Sequence, residues 1–182
     1  MKPKTPVQHL ISQLSETPIE DYTSLLEKFD FNQINFALFE SWSDKRYTRN
    51  CIYKDDQFEV LLLCWEPGQQ TAIHGHDGED CWVYLLEGEM TEVFYSLDSE
   101  NYLRQDRSHV ITPRQLTFMN DKLGYHKLMA SEQCRSVSLH IYARPIEECL
   151  YFDIKEKCFV KRALFYDTQT QHLLNPLVRD IH

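Results

Sequence analysis

A chain of 182 residues is long enough for one domain that buries roughly 70% of the surface its unfolded form exposes, so a core without covalent staples is within reach. Apolar residues at 42% and charged residues at 26% fit a globular protein and exclude collagen, coiled coil and a disordered tract. Nineteen Lys and Arg against 28 Asp and Glu leave a net charge of −9, the wrong sign for a binder of nucleic acid or of an anionic membrane. No stretch approaches the ~18 apolar residues of a membrane span. Met1 to Glu20 holds no apolar run long enough for a signal peptide, so a cytosolic protein is expected. The five glycines form neither a dinucleotide fingerprint nor a phosphate loop. None of the six cysteines forms Cys-x-x-Cys, and in a reducing compartment they read as buried or partly buried thiols, with Cys81 set aside.

Residues 1–42 read as short helices. Thr5 caps a helix that has Pro6 at its first position, and Thr17-Pro18-Ile19-Glu20 reads as a second start with a capping box. Ile19, Tyr22, Leu25, Leu26 and Phe29 keep helical spacing behind it, and Asp30 repeats the cap signal before Ile34, Leu38 and Phe39. After Trp42 the pattern changes to strands. Arg46 to Tyr53 is rich in β-formers, and Phe58 to Trp65 is apolar enough for a strand buried on both faces. Glu66-Pro67-Gly68 is a turn. Strands follow at Cys81 to Leu86, Thr91 to Tyr95, Val110 to Thr112, Leu116 to Met119, His126 to Ala130 and Arg135 to Tyr142, with a last hairpin over Cys149 to Phe165. Short strands without long intervening helices predict a mainly β sandwich or barrel. The expected organisation is a single domain over 1–182, with a helical part at 1–42, barrel and C-terminal hairpin at 43–167 and an uninformative tail at 168–182.

The segment from Gly68 to Gly88 carries most of the chemistry. Residues two apart on a strand share a face, so His74 and His76 point together at a spacing suited to two ligands of one metal. His-x-His alone also arises by chance. Gly68, His74-x-His76, position 81 and Gly88 are spaced as in the first cupin motif, and this resemblance implies a small antiparallel jelly-roll barrel with a metal inside. The family's usual glutamate is replaced by Cys81, and its second motif is reduced to Gly124-Tyr125-His126, which keeps a histidine. Taken alone, His126 reads as a loop histidine. In Ser138-Leu139-His140-Ile141-Tyr142 the polar residues alternate with apolar ones. By pattern alone that polar face is the solvent side of a strand; a relay from Ser138 through His140 to the Tyr142 hydroxyl is the alternative.

Arg46-Tyr47-Thr48-Arg49-Asn50, His74-x-His76, Cys81, His126 and Ser138 to Tyr142, continued by Pro145 to Cys149, together resemble the cysteine dioxygenase type I family in order and spacing. The resemblance spans about residues 46 to 150. It implies a cupin enzyme with one Fe(II) per chain that joins O2, as co-substrate, to the thiol of L-cysteine, forming cysteine sulfinic acid. It places the three ligands on His74, His76 and His126, carboxylate binding on Arg49 with Tyr47 beside it, and a thioether-forming pair on Cys81 and Tyr142. His140 and Ser138 would orient the tyrosine. Many bacterial relatives have glycine where this chain has Cys81. A dioxygenase of 3-mercaptopropionate or another small thiol is the alternative within the class, although that group tends to lack Arg49. A metal-binding cupin without turnover is the alternative outside it. A monomer with no obligate protein partner, no nucleic acid and no membrane is expected.

Overall fold

A computed structural model describes residues 3–174. Helix α1 spans Pro6–Glu16, capped as predicted: Thr5 accepts from the Gln8 amide, and the Gln8 side chain accepts from the Thr5 amide. The second start lies elsewhere. Thr17 ends α1, residues Ile19–Asp21 form a 3-10 turn without a side-chain cap, and α2 begins at Tyr22 and runs to Lys28. Here packing overrides the cap signal: Tyr22 and Leu26 are buried while Ile19 stays exposed, so the helix is phased by its aromatic anchor. The stretch after Asp30 makes only 3-10 turns, at Phe31–Gln33 and Phe36–Phe39, and Leu38 is exposed.

Eleven strands follow among the described residues. They are β1 Thr48–Lys54, β2 Glu59–Trp65, β3 Cys81–Glu87, β4 Met90–Leu97, β5 Leu103–Ile111, β6 Leu116–Met119, β7 Tyr125–Ala130, β8 Ser136–Tyr142, β9 Glu148–Asp153, β10 Cys158–Ala163 and β11 Thr168–Gln169. One sheet has the order β11-β1-β2-β8-β3-β6, and the others are β5-β4-β7 and β10-β9. The segment between β2 and β3 joins the last two. His74 bridges His126 of β7 on one side and Tyr151 of β9 on the other. Two layers therefore face each other as a jelly roll, and the hydrogen-bonded strands do not close into a ring. Pairing is antiparallel except for β1 with β11, which is parallel. That pairing gives residues 168–169 of the expected tail a place in the sheet; residues 175–182 lie outside those described. The sequence also understates β5, whose residues are mostly polar because it is an exposed edge strand.

The six-stranded sheet has β2 buried on both faces, which explains why that strand reads as apolar from Val60 to Trp65. Val60, Leu62 and Cys64, with Val137, Leu139 and Ile141 of β8, pack outward against Val7, Leu10, Leu14, Tyr22 and Leu26 of the helices. Leu61, Leu63 and Trp65 face inward with Val83, Leu85, Met90 and Leu128. Each such large side chain contributes about 1.5–3 kcal/mol by leaving water. Parity then decides chemistry: Ser138, His140 and Tyr142 alternate with the helix-facing residues of β8 and all point between the layers, buried.

Candidate metal centre and its pocket

His74, His76 and His126 converge between the layers, each at most 8% exposed. His126 Nε2 lies 3.2 Å from His74 Nε2 and 3.1 Å from His76 Nε2. His74 is held on both sides by backbone bonds: its amide donates to the His126 carbonyl, the His126 amide returns the bond, and Gly75 and Ile73 pair with Leu150 and Phe152. His76 is not on a strand. Its amide donates to Asp121 Oδ1 at 2.7 Å, and the Gly78 amide donates to Oδ2 of the same carboxylate. His126 follows a tight turn at Gly124, where φ is +96° and a Cβ would stand 2.4 Å from the Tyr95 carbonyl oxygen, so only glycine fits.

Burial pushes the His74 and His126 pKa values down to about 3 and holds His76 well below its usual range. All three are therefore neutral, with lone pairs available at Nε2. Three buried acceptors within 4.8 Å of one another, two of them 3.1–3.2 Å from His126 Nε2, cannot all satisfy one another, and they suit a cation with metal–nitrogen bonds of about 2.0–2.1 Å. Two of the three opposite ring edges are supported, while His76 Nδ1 is buried without a partner among the described residues. His74 Nδ1 lies 3.0 Å from the Ala72 carbonyl, and His126 Nδ1 lies 2.6 Å from Glu92 Oε1. With Nε2 turned to the other two rings, His126 Nδ1 carries the proton and donates it to Glu92. Glu92 is fully buried on β4, and burial raises its pKa to about 7 against the opposing pull of His109. Glu92 was missed in the sequence reading, although it shares strand parity with Met90 and Phe94. Glu92→Gln is expected to keep the fold and weaken metal binding by about 10- to 100-fold, as loss of such a partner commonly does; a titration of the apoprotein with metal checks it.

The residues on β8 lie against this cluster. The Ser138 hydroxyl lies 2.9 Å from His140 Nε2 and accepts from Trp65 Nε1 at 2.9 Å. The second step of the relay is absent as a hydrogen bond among the described residues: His140 and Tyr142 stack with ring centroids 6.4 Å apart, and His140 Nδ1 is buried without a partner. Tyr142 is edge-on to His76. It faces Cys81 directly across the β3–β8 register, with both side chains on the buried inward face. Burial pushes both groups up, so thiol and phenol are neutral.

Arg49 of β1 forms the other end of the pocket, together with Tyr47, which stacks on Trp65. The guanidinium is only 7% exposed, and its Nη2 has no hydrogen-bond partner among the described residues. Burial works against its charge, but Tyr142, Glu59, Tyr47 and Tyr151 raise its pKa, so it stays a cation. Glu59, also unread in the sequence, stands 3.7 Å from Nη2, too far for a hydrogen bond. Leu164 and Tyr166 reach the site from the stretch after β10, which Asp167 straps to β1 by accepting from the Arg49 amide and from both Nη atoms of Arg46. These side chains enclose only a small space, so the occupant is compact. A roomier cleft of about 910 Å³, near Leu14, Ile19 and Arg144, lies outside and contains none of the three histidines.

A jelly roll with three buried histidines converging between its layers is a cupin with a candidate metal centre. A double-stranded β-helix protein of Klebsiella pneumoniae shares this fold, with a TM-score of 0.50 and 13% identity over 72% of this chain and 96% of that one. The sequence profile of cysteine dioxygenase type I matches residues 2–155, and the chain belongs to that family. Cysteine dioxygenase type 1 of Rattus norvegicus is 28% identical over 162 residues, 84% of this chain and 81% of the rat protein. The same enzyme of Danio rerio is 29% identical over 163 residues, again 84% and 81% of the two chains.

Proposed function

We propose that this protein is a cysteine dioxygenase: with one Fe(II) on His74, His76 and His126, it adds both atoms of O2 to the thiol of L-cysteine and releases L-cysteine sulfinic acid. The observation that carries this reading is the pairing, in one small buried pocket, of three neutral imidazoles with an arginine whose Nη2 lacks a partner. One end suits a soft thiolate held by a cation, the other a carboxylate. A ferrous ion held by the three histidines would supply open positions for the thiolate and O2 and a redox-active centre between them. The balance closes without 2-oxoglutarate or another reductant, because sulfur supplies all four electrons in going from thiol to sulfinic acid.

The chain's own groups do the rest. Arg49 fixes the carboxylate with its planar fork. Tyr47, packed on Trp65, walls the arginine end. Tyr142, neutral and buried, presents its hydroxyl to the reacting atoms as a hydrogen-bond donor. Ser138 and Trp65 fix the His140 ring, which stacks on Tyr142 and limits where that hydroxyl points. The whole chain works as one domain on this reading, as a monomer without a protein partner. The six cysteines are free, in keeping with a reducing cytoplasm, and no described helix is long and apolar enough to cross a membrane.

Oxygen uptake with Fe(II) and L-cysteine, with the product identified as sulfinate at one O2 per thiol, tests the proposal. Iron-loaded protein that consumes no oxygen with any small thiol would leave a metal-binding cupin. Preference for 3-mercaptopropionate or cysteamine would change the substrate and keep the chemistry.

Cys81 and Tyr142 are the proposed thioether pair. After turnover with Fe(II) and with O2 as the oxidant that takes up the two hydrogens, peptide mass analysis is expected to show the two peptides joined with a loss of about two mass units, one hydrogen from the thiol and one from the tyrosine ring. Cys81→Ser abolishes the link and lowers kcat by less than about tenfold, about 1.4 kcal/mol, because the tyrosine hydroxyl remains in place. A Cys81→Ser protein that bound iron normally and was inactive would show the link to be essential.

A further inference from the structure

Among the described residues Glu59 is the one carboxylate beside the arginine end of the pocket, and it has no part in the mechanism above. It opens β2, on the inward face shared with Leu61, Leu63 and Trp65, and is fully buried. Across the register it faces Tyr142. Its Oε2 accepts a 2.5 Å hydrogen bond from the Tyr166 hydroxyl, and its Oε1 accepts from the Ile146 amide at 3.4 Å. These bonds draw the carboxylate aside and leave it 3.7 Å from Arg49 Nη2. The Tyr166 ring lies 5.7 Å from the Arg49 guanidinium carbon. Arg49 thus has a resident counter-charge that leaves its Nη2 donor unused.

We propose that Glu59, held by Tyr166, is a specificity-determining positioning residue that makes Arg49 favour a ligand carrying an amine as well as a carboxylate over a plain mercaptocarboxylic acid. The inference rests on the thiol dioxygenase reading for its substrates. Burial raises the Glu59 pKa, but Tyr166, Arg49 and the Ile146 amide favour its carboxylate form, in which Arg49 and Glu59 together carry no net charge. A zwitterionic amino acid adds none to the buried pocket, whereas an acid without an amine brings an uncompensated negative charge within a few ångströms of the Glu59 carboxylate. Two like charges about 5 Å apart at an effective dielectric constant of about 20 repel strongly enough to change relative affinity by more than tenfold. The 3.7 Å separation matters equally. A hydrogen-bonded Arg49–Glu59 pair would occupy the fork that the ligand needs, and Tyr166 prevents it.

The test compares wild type, Glu59→Gln and Tyr166→Phe, loaded with iron to equal occupancy. Anaerobic calorimetry gives the binding of L-cysteine, 3-mercaptopropionate and cysteamine, and oxygen uptake gives kcat and KM for each. Glu59→Gln removes the charge and keeps one carbonyl oxygen as acceptor for the Ile146 amide, with the new NH2 turned to donate to the Tyr166 hydroxyl oxygen. It is expected to raise the affinity ratio of 3-mercaptopropionate to L-cysteine at least tenfold, with kcat for L-cysteine within about twofold. Tyr166→Phe frees the carboxylate to close on Arg49. It is expected to weaken both carboxylate ligands several-fold and leave cysteamine unchanged. An unchanged ratio in Glu59→Gln, or equal losses on all three thiols in both variants, overturns the proposal. Absence of oxygen uptake by wild type with every thiol would instead sink the dioxygenase reading, and the binding ratio would still be read. If Glu59→Gln does not fold, Tyr166→Phe decides: a loss confined to the two carboxylate ligands supports the proposal, and any other pattern refutes it.

Discussion

His74→Ala is expected to remove most of the bound iron and to lower thiol oxidation by more than about a hundredfold. Losing a supporting partner of a ligand commonly costs 10- to 100-fold in affinity or activity, and losing the ligand itself costs more. The effect should be local. The backbone bonds that hold residue 74 between β7 and β9 do not involve the imidazole, so alanine keeps them. Metal analysis of the purified variant, with circular dichroism to verify the fold, is the measurement. Full iron occupancy in His74→Ala would remove it from the ligand set. Unchanged turnover with the iron gone would refute the metal mechanism altogether.

Arg49→Ala carries the second large effect. Removing one member of a buried charge pair costs about 2–5 kcal/mol because the other charge is left unpaired. That is roughly 30- to several-thousand-fold in kcat/KM for L-cysteine at 1.4 kcal/mol per tenfold. Cysteamine has the same thiol and amine but no carboxylate, so its kcat/KM should fall far less. Two carboxylates lose their partner in this variant, the substrate's and that of fully buried Glu59. A lower melting temperature is therefore expected alongside the kinetic loss, and Arg49→Ala combined with Glu59→Gln should recover part of the stability without recovering cysteine turnover. Equal kinetic losses on both thiols would mean that Arg49 supports the metal end or the fold.

Much of this molecule was legible because its chemistry lies on short-range patterns. His74-x-His76, the glycines around it and the alternation of Ser138, His140 and Tyr142 are local, and strand parity states which residues share a face. Parity could not say whether the polar face of β8 was wet. That depended on the second sheet covering that face, a tertiary fact invisible within the strand. Glu59 and Glu92 were overlooked for a related reason. Each is a single charge in an apolar strand, and its worth comes from Arg49 or His126 on another strand, 10 and 34 positions away. Their parity with Leu61 and Met90 was the available signal. Tyr166 offered none, since it reaches the pocket from an irregular stretch anchored through Asp167. The misplaced start of α2 shows a local cap signal yielding to the burial of Tyr22.

His74 is fixed between two strands by backbone bonds, while Asp121 clamps the His76 and Gly78 amides and Glu92 braces the His126 ring. None of these restraints needs an ion. The conformational entropy of gathering three imidazoles is therefore lost when the chain folds, and little remains to be lost at loading. Folding and metallation are separate events in such a protein, unlike a zinc finger, where binding free energy is folding free energy. A chelator should strip the site and leave the jelly roll standing, so that the centre can be emptied and refilled without refolding the chain.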